Sequence, residues 1–110
     1  MYRRELLKGS TETLLLSLLA NEPMYGYQLV QVIGKRSSGY FRFKEGTLYP
    51  ALHRMERDGL VEGRWQMSPN GQSRRYYYIT SNGRARLDSR LAEWREFTTA
   101  VNLVALTGGG

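Results

Sequence analysis

Apolar residues recur at helical spacing in several stretches of the chain, and turn-forming residues separate these stretches. The first stripe consists of Leu14, Leu15, Leu18 and Leu19. Ser10 precedes it, and its hydroxyl can accept a hydrogen bond from an unpaired amide of a first helical turn. The segment "NEP" at residues 21–23 stops a helix. The pattern therefore predicts a helix that begins at Ser10 and ends before residue 21.

The second stripe lies in "YGYQLVQVIGKR" at residues 25–36. One helical face of this stretch carries Tyr25, Leu29, Val32 and Ile33. Gly34 and the segment "SSG" at residues 37–39 are typical of the end of a helix. We therefore expect a second short helix over this stretch.

The third stripe lies in "KEGTLYPALHRMERDGL" at residues 44–60, and it contains a proline. Its apolar face consists of Leu48, Leu52 and Met55. If Thr47 is the N-cap, Pro50 lies in the first turn, where the missing N–H has no intrahelical acceptor. The carbonyl of Gly46, which the proline ring would meet, then lies outside the helix. Gly59 suits the left-handed position after the last turn.

Two β-prone runs, "LVEGRWQM" and "QSRRYYYIT", flank the loop "SPNG" at residues 68–71. This arrangement predicts an antiparallel hairpin with a projecting tip. Strand alternation places Tyr76 and Tyr78 on one face and Tyr77 on the other. We expect Trp65 to pack in the core of the hairpin.

The last predicted helix covers "NGRARLDSRLAEWREFTTAVNLVAL", with Thr80 or Ser81 as its cap. It carries an apolar stripe formed by Leu87, Leu91, Trp94, Phe97, Val101 and Val104. The stripe continues after the compact part of the sequence has ended. Either the whole stripe packs on its own domain, or part of it packs against a second subunit. The length of the helix favours the second subunit.

Composition describes one soluble globular domain. The chain has 110 residues, 41% of them hydrophobic and 24% charged. No apolar run reaches the length of a membrane span, and the N-terminus does not resemble a secretory signal. We give the terminal "TGGG" no structural role. The absence of cysteine is compatible with a reducing compartment, so we expect a cytoplasmic protein.

The net charge of +6 is concentrated in the middle of the chain. Residues 35–90 hold twelve basic and five acidic side chains, a surplus of seven, whereas the flanking parts together carry no surplus. A localised surplus indicates either a face that binds a polyanion, most simply nucleic acid, or a solvated basic surface.

No group of residues suggests catalysis or a cofactor. His53 is the only histidine, there are no cysteines, and the carboxylates are not clustered. A metal site is therefore not expected. The chain also lacks a nucleophile–base pair and a phosphate-binding glycine loop, so we expect no enzyme activity.

The order helix, helix, helix, hairpin, helix describes a winged helix-turn-helix, a mainly α fold with a small β-hairpin. In such a fold the third helix enters the major groove of DNA, and its outer face offers Thr47, Tyr49, Pro50, His53, Arg54 and Arg57. Lys44 precedes this helix, and Arg64, Arg74 and Arg75 lie in the hairpin. The alternative interpretation is a solvated basic face with Tyr49 as a partly buried aromatic. With the basic hairpin following, DNA contact is favoured.

Three segments resemble the PadR family of bacterial transcriptional regulators, in its smaller form with one C-terminal helix. They are "MYGYQL" at residues 24–29, "KEGTLYPALHRMERDGLVEG" at residues 44–63 and "RRYYYITSNGRARL" at residues 74–87. Together they span most of residues 10–90, and the "GTLYPALHRM" block is highly specific. Typical members often have His where this chain has Tyr25.

This resemblance implies a homodimer that binds a palindromic operator, usually as a repressor. It implies a DNA-binding domain over residues 1–80 and a dimerisation helix over residues 81–107. It places Thr47, Tyr49 and Pro50 on or near the DNA backbone, and it places Arg74 and Arg75 at basic wing positions. We add Tyr25, Lys44, His53 and Arg54 to the candidate DNA-binding residues.

The resemblance also gives Trp94, with Leu91, a candidate role in ligand binding. Small relatives use a tryptophan at a similar place to line a cavity at the dimer centre, where a flat aromatic compound can stack. Alternatively, Trp94 simply fills the dimer core.

A second class of function stays open at this point. A winged helix can serve as a protein–protein interaction module, in which the basic face binds an acidic partner and not a specific DNA sequence. Competition between a palindromic duplex and bulk DNA distinguishes the two classes, because only a regulator prefers one sequence.

Overall fold

Four helices and a three-stranded antiparallel sheet form the fold within residues 2–106, the part of the chain that the computed structural model describes. Side chains are described from Ser10 to Leu106. Met1 and residues 107–110, which form the terminal "TGGG", lie outside the described residues. The first residue of the predicted DNA-binding domain (1–80) and the last residue of the predicted dimerisation helix (81–107) are therefore not described. The elements are α1 (Tyr2–Leu19), β1 (Met24–Tyr25), α2 (Gly26–Arg36), α3 (Glu45–Arg57), β2 (Val61–Met67), β3 (Ser73–Ile79) and α4 (Ser81–Ala105).

One apolar core joins the first three helices to the sheet and to the start of α4. The predicted stripes supply most of it, and the largest fully buried side chains are those of Tyr77, Leu15, Leu16, Leu29, Leu48, Leu52 and Met55. α2 and α3 each bury one face and expose the other, as the helical periodicity predicts. The apolar pattern therefore sets how α2 and α3 lie against α1.

The first helix begins earlier than predicted. α1 starts at Tyr2, so Ser10 lies inside the helix and the prediction that Ser10 caps it is wrong. The preceding residues, "RRELLK", are good helix formers, and one glycine at residue 9 is not enough to stop the helix.

The third helix also begins earlier than predicted. Its N-cap is Lys44, and the amides of Thr47 and Leu48 both donate to the Lys44 carbonyl, at 2.9 and 3.0 Å. Thr47 is therefore not the N-cap, and Pro50 lies inside the helix. The Gly46 carbonyl is thus a helical carbonyl that Pro50 cannot satisfy, because proline has no N–H.

The end of α3 follows the prediction. Gly59 has a φ of +76°, in the left-handed region. The Gly59 amide donates to the Glu56 carbonyl at 3.0 Å, and the Leu60 amide donates to the Met55 carbonyl at 2.8 Å. This pair of bonds is a Schellman motif, and it satisfies carbonyls that the end of the helix leaves free. β2 begins immediately afterwards, at Val61.

β3 is the central strand of the sheet, between β1 and β2. β2 and β3 pair along their whole length as the predicted hairpin, and we call residues 61–79 the wing. β1 has only two residues, Met24 and Tyr25, and nothing in the sequence pattern predicted it. The helices followed by the paired strands form a winged helix-turn-helix, as predicted.

The expectation that Trp65 packs in the core is wrong. Its side chain is 67% exposed, and Met67 on the same face is 69% exposed. Along β2, burial is complete at Val61 and is lost towards the tip, because the outer half of the wing extends beyond the helices. Trp65 shares a face with the core side chains, but it lies too far along the strand to reach the core.

The junction between the wing and α4 is tightly packed. The Thr80 hydroxyl accepts from the Gly83 amide at 3.0 Å and donates to the Gly59 carbonyl at 2.6 Å. This confirms Thr80 as the cap of α4. A Cβ atom at Gly83 would overlap the carbonyl oxygen of Leu60. The start of α4 therefore rests directly on the backbone that ends α3.

Tyr77 makes the stability of the fold sensitive to alkaline pH. Burial raises the pKa of the Tyr77 phenol above its usual value of 10.0, although Arg75 opposes the shift. The folded protein therefore holds this proton more tightly than the unfolded chain does. The resulting stability is complete below pH about 10 and is lost as the pH rises through the folded pKa.

We accordingly expect the free energy of unfolding to fall above pH about 10, and to fall less steeply in Tyr77→Phe, which has no phenol to ionise. Urea denaturation at a series of pH values measures both curves. Parallel curves for the variant and the wild type would contradict this assignment.

None of the helices in residues 2–106 is long and apolar enough to cross a membrane.

Candidate nucleic-acid interface

The exposed face of α3 collects most of the predicted DNA-binding residues. Leu48, Ala51, Leu52 and Met55 are buried. The opposite face is solvent-exposed and carries Thr47, Pro50, His53, Arg54 and Arg57, with Lys44 exposed at the N-cap. A helix of this width fits the major groove, and these side chains extend from it without competing core contacts.

Tyr49 lies at the edge of this face and is half-buried. Its phenol packs on the first residue of α2, where a Cβ atom at Gly26 would lie 2.5 Å from the Tyr49 hydroxyl oxygen. Burial raises the pKa of this phenol, Glu45 raises it further, and Arg74 lowers it. The hydroxyl therefore remains protonated at neutral pH and can donate a hydrogen bond beside the start of α2.

The helices α2 and α3 both begin without a side-chain cap. Neither Tyr25 nor Lys44 forms a capping bond, whereas Thr80 caps α4. Gly26, the first residue of α2, is buried against the Tyr49 phenol. The Thr47 amide of α3 already donates to the Lys44 carbonyl. Only the remaining first-turn amides of the two helices therefore lack an intrahelical acceptor. Helix N-termini of this kind favour phosphate oxygens, because the amides and the helix dipole both attract an anion.

Arg74 stacks on Tyr25, so the two predicted residues are in contact. The guanidinium lies 4.4 Å from the centre of the Tyr25 ring, and Nη2 donates to Oε1 of Gln72 at 2.5 Å. The Tyr25 ring in turn meets Tyr76 edge-on, with 5.4 Å between ring centres. The Nε atom of Arg74 is buried and finds no hydrogen-bond partner among the described residues.

Arg75 lies on the opposite face of β3 and has a different environment. Its Nη2 atom pairs with Oε2 of Glu56 on α3 at 2.5 Å. The same carboxylate oxygen accepts from the Gly63 amide at 3.3 Å. The two neighbouring arginines are therefore not equivalent. No pattern in the sequence pointed to Glu56 or Gly63, since their contacts join α3 to the wing.

The rest of the outer wing face is also built from arginine and tyrosine. The Arg64 guanidinium lies 4.5 Å from the centre of the Tyr78 ring and pairs with Glu62 at 3.0 Å. The tip, residues 68–72, is exposed except for Ser68, whose hydroxyl hydrogen-bonds Asn70. Cation–π stacking at exposed sites favours such guanidinium positions by about 0.5–1 kcal/mol.

A second group of cations surrounds the segment between α2 and α3. Lys35, Arg36, Arg42 and Lys44 are all exposed there. The Arg42 Nε atom donates to the Gly39 carbonyl at 3.0 Å, which holds that side chain against the turn. Apart from Lys44, which the sequence analysis predicted, this group was visible in the sequence only as part of the central charge surplus. In the structure it extends the basic surface next to the start of α3.

The predicted stripe on α4 divides into a buried part and an exposed part. Leu87 is buried in the core of its own subunit, and Leu91 packs against that core. Glu12 of α1 pairs with Arg86 at 2.9 Å, which fixes this half of α4. We therefore remove Leu87 from the predicted dimerisation surface, since its side chain is already covered.

The exposed part of α4 begins at Trp94 and extends beyond the compact part of the molecule. Its large apolar side chains are 44–82% exposed: Trp94, Phe97, Val101, Leu103, Val104 and Leu106. The Trp94 and Phe97 rings stack, with 5.9 Å between centres and 28° between planes. An apolar surface of this extent is typical of an interaction site.

Residues 10–106 contain no group of three or more histidine or acidic side chains that could hold a metal ion.

Comparisons with known proteins agree on one family. The model of the "Transcriptional regulator PadR-like family" matches residues 15–89. The transcriptional regulator Rv3488 of Mycobacterium tuberculosis is 36% identical over 84 residues, which cover 76% of this chain and 75% of that protein.

Solved structures have the same fold. The PadR-like transcriptional regulator of Bacillus cereus has a TM-score of 0.82 and 34% identity, over 91% of this chain and 95% of that one. PadR of Bacillus subtilis, solved in complex with operator DNA, has a TM-score of 0.66 over 73% of this chain and 45% of that one. Its identity is only 20%, so this second likeness concerns the fold alone.

Proposed function

Because the chain belongs to the PadR-like family of transcriptional regulators, we propose that it binds one operator sequence as a homodimer and represses transcription there. The observation that carries this proposal is the exposed face of α3, which presents Thr47, His53 and Arg54 beside two uncapped helix starts. Such a face suits the major groove, and the family regulates transcription and does not catalyse reactions.

Each residue of this face has a definite chemical role in the proposal. Arg54 or His53 reaches a base edge, where an arginine on guanine contributes about 1–3 kcal/mol of discrimination. The Thr47 hydroxyl and the Lys44 ammonium bond phosphate oxygens at the start of α3, and the Tyr49 hydroxyl bonds one beside the start of α2. Pro50 lies against the sugar–phosphate backbone. On the wing, Arg74 stacked on Tyr25 provides a further phosphate contact.

The fold of Bacillus subtilis PadR supports a DNA-binding role. That protein was solved with operator DNA, and its chain shares the winged helix-turn-helix of this one. The local charge agrees, because the surplus of basic residues lies in residues 35–90, which contain α3 and the wing. Counterion release from the phosphates would supply most of the non-specific affinity.

In this proposal residues 1–80 bind DNA and residues 81–107 hold the dimer together. A two-fold axis through the exposed part of α4 would bring Trp94, Phe97 and Val101 of two chains together. Two copies of α3 could then lie about one DNA turn apart, which a palindromic operator requires. The exposed stripe supports this arrangement, because a monomer would leave it in water.

We also propose that a small aromatic ligand releases the protein from DNA. The indole ring of Trp94 is half-exposed and is stacked on Phe97. Leu91, on the same stripe, packs against the core and would form one side of the ligand site. A flat aromatic compound could stack there between two subunits. Its binding would change the angle between the two α4 helices and so the spacing of the two α3 helices.

Selection of bound duplexes from a random pool tests the operator proposal. We expect a palindrome that binds about a thousandfold more tightly than unrelated DNA at the same salt concentration. Arg54→Ala is expected to relax the preference at one base pair of each half-site. Arg95→Ala, which removes an exposed cation from α4, is the matched control and is expected to keep the preference.

Two outcomes of this experiment would contradict the proposal. Equal binding to unrelated duplexes would favour the protein–protein interaction module. A selected duplex that aromatic compounds never release, although the dimer binds them, would reject the ligand role of Trp94.

A further inference from the structure

The two consecutive arginines of the wing face in opposite directions and make unlike contacts. Arg74 lies on the outer face of β3 with Tyr25, whereas Arg75 lies on the inner face with Glu56. Both positions belong to the same basic pair in the sequence. Their surroundings nevertheless suggest two separate tasks.

Arg75 is held by three groups that leave its guanidinium little freedom. Its Nη2 atom lies 2.5 Å from Oε2 of Glu56, and the guanidinium passes directly over Gly63. A Cβ atom at Gly63 would lie 2.5 Å from the Arg75 Nε atom, so only glycine leaves room for this position. The guanidinium also lies 5.9 Å from the centre of the Tyr77 ring.

Glu56 connects both strands of the wing to α3. Its Oε2 atom accepts from Arg75 on β3 and also from the Gly63 amide on β2. The side chains of Arg75 and Glu56 are only 32% and 30% exposed, so water screens the pair less than it screens a surface pair. We call Glu56, Gly63 and Arg75 the wing brace.

The position of the wing brace determines what it can do. The wing leaves α3 at Leu60, and the brace ties it back to α3 three residues later at Gly63. The root of β3 is already held by its pairing with β1 and by the buried Tyr77, and the wing brace adds a direct contact of both strands with α3. In the free protein the brace therefore favours one angle between the wing and α3.

Arg74 has the properties expected of a direct DNA contact. No acidic side chain among the described residues forms a salt bridge with it, and its Nη2 atom donates to the uncharged side chain of Gln72. Stacking on Tyr25 orients the guanidinium without neutralising it. Its charge thus remains available for a phosphate.

We propose that Arg75 is a positioning residue that holds the wing against α3 through Glu56, and that Arg74 alone of this pair contacts DNA. The DNA part of this inference rests on the proposed function. The brace itself does not, because it concerns the free protein.

Salt dependence of DNA binding separates the two arginines. On a mixed-sequence duplex, Arg74→Ala is expected to reduce the slope of log K against log salt by about 0.9, the value for one phosphate contact. Arg75→Ala is expected to keep the wild-type slope and to weaken binding roughly three- to tenfold at every salt concentration. A slope reduced equally in both variants would overturn the division of roles.

A charge exchange tests the brace more directly. Glu56→Arg combined with Arg75→Glu restores an ion pair with reversed signs and keeps the net charge at +6, since one change adds two charges and the other removes two. It does not restore the hydrogen bond from the Gly63 amide, because arginine has no acceptor atom. If Arg75 only positions the wing, the double variant is expected to bind DNA within about threefold of the wild type. If Arg75 touches a phosphate, the double variant will bind no better than Arg75→Glu alone.

A measurement without DNA makes the brace testable even if the proposed function fails. Trp65 lies opposite Arg75 on β2, and Trp94→Phe leaves it as the only tryptophan. In that background, Glu56→Gln and Arg75→Ala are expected to lower the fluorescence anisotropy of Trp65. The charge exchange is expected to restore part of it, since it returns the ion pair and not the Gly63 bond. Anisotropy unchanged by Arg75→Ala would reject the brace, whereas a wild type that binds no duplex would reject only the DNA-binding function.

Discussion

Val101→Asp is expected to convert the protein to a monomer and to lower operator affinity by about three orders of magnitude. Val101 lies in the exposed stripe of α4 with Trp94 and Phe97. A carboxylate there would be buried without a partner in a two-fold interface, which is strongly unfavourable. A monomer reaches only one half-site, and losing the linked second site removes a factor of about 100–10,000.

Thr99→Asp is the matched control for this prediction. Thr99 is also exposed on α4, but it lies on the opposite side of the helix from Val101. The control therefore adds the same charge to the same helix without entering the stripe. Sedimentation velocity reports the assembly, and titration of the selected duplex reports the affinity. A dimeric Val101→Asp, or two variants with equal defects, would refute the proposed interface.

Gly83→Ala is expected to reduce the free energy of unfolding by about 3 kcal/mol, the upper part of the usual range for overpacking. A methyl group at this position overlaps the Leu60 carbonyl oxygen and also comes within 2.8 Å of the Ile79 side chain. The first of these contacts is backbone, so it cannot be relieved by a change of rotamer. The start of α4 must move away from the end of α3, and the Thr80 cap is disturbed with it.

Gly46→Ala provides the comparison for Gly83→Ala. Gly46 is also in the first turn of a helix, but a Cβ atom there meets nothing within 4 Å. Alanine at that position is expected to be neutral or to stabilise the protein by up to about 1 kcal/mol, because it favours the helix. Urea denaturation measures both variants. A loss of less than about 1 kcal/mol for Gly83→Ala would show that the junction can adapt.

Local signals in the sequence were sufficient to predict whether most elements are helices or strands and which of their faces are buried. The apolar periodicity of α2 and α3 identified the faces that the structure buries, such as that of Leu48, Leu52 and Met55. Gly59 and Thr80 were also identified correctly, because a left-handed turn and a helix cap depend on a few neighbouring residues.

The helix starts at Ser10 and Thr47 were mispredicted because good capping residues also occur inside helices. A hydroxyl at a suitable position does not prevent the preceding residues from being helical. At α3 the backbone of Lys44 performs the capping turn instead. Pro50 is tolerated within α3, although it leaves the Gly46 carbonyl without a helical partner.

The remaining features depend on contacts between distant parts of the chain. β1 exists only because Met24 and Tyr25 meet β3, and two residues are too few to show a period. Trp65 lies on the strand face that is buried near Val61. Whether Trp65 itself is buried depends on how far the helices extend along the wing, and tertiary packing decides this. The different surroundings of Arg74 and Arg75 likewise depend on Tyr25 and Glu56, which are remote in sequence.

The direct passage from α3 into β2 constrains how such a chain can change in length. Leu60 closes the last turn of the helix, and Val61 is already the first residue of the strand. An inserted residue here would exchange the two faces of the strand and turn Val61 towards water. The exposed tip at residues 68–72 has no such restriction. Insertions and deletions can therefore be tolerated at the tip of the wing, whereas the junction between α3 and β2 must keep a fixed number of residues.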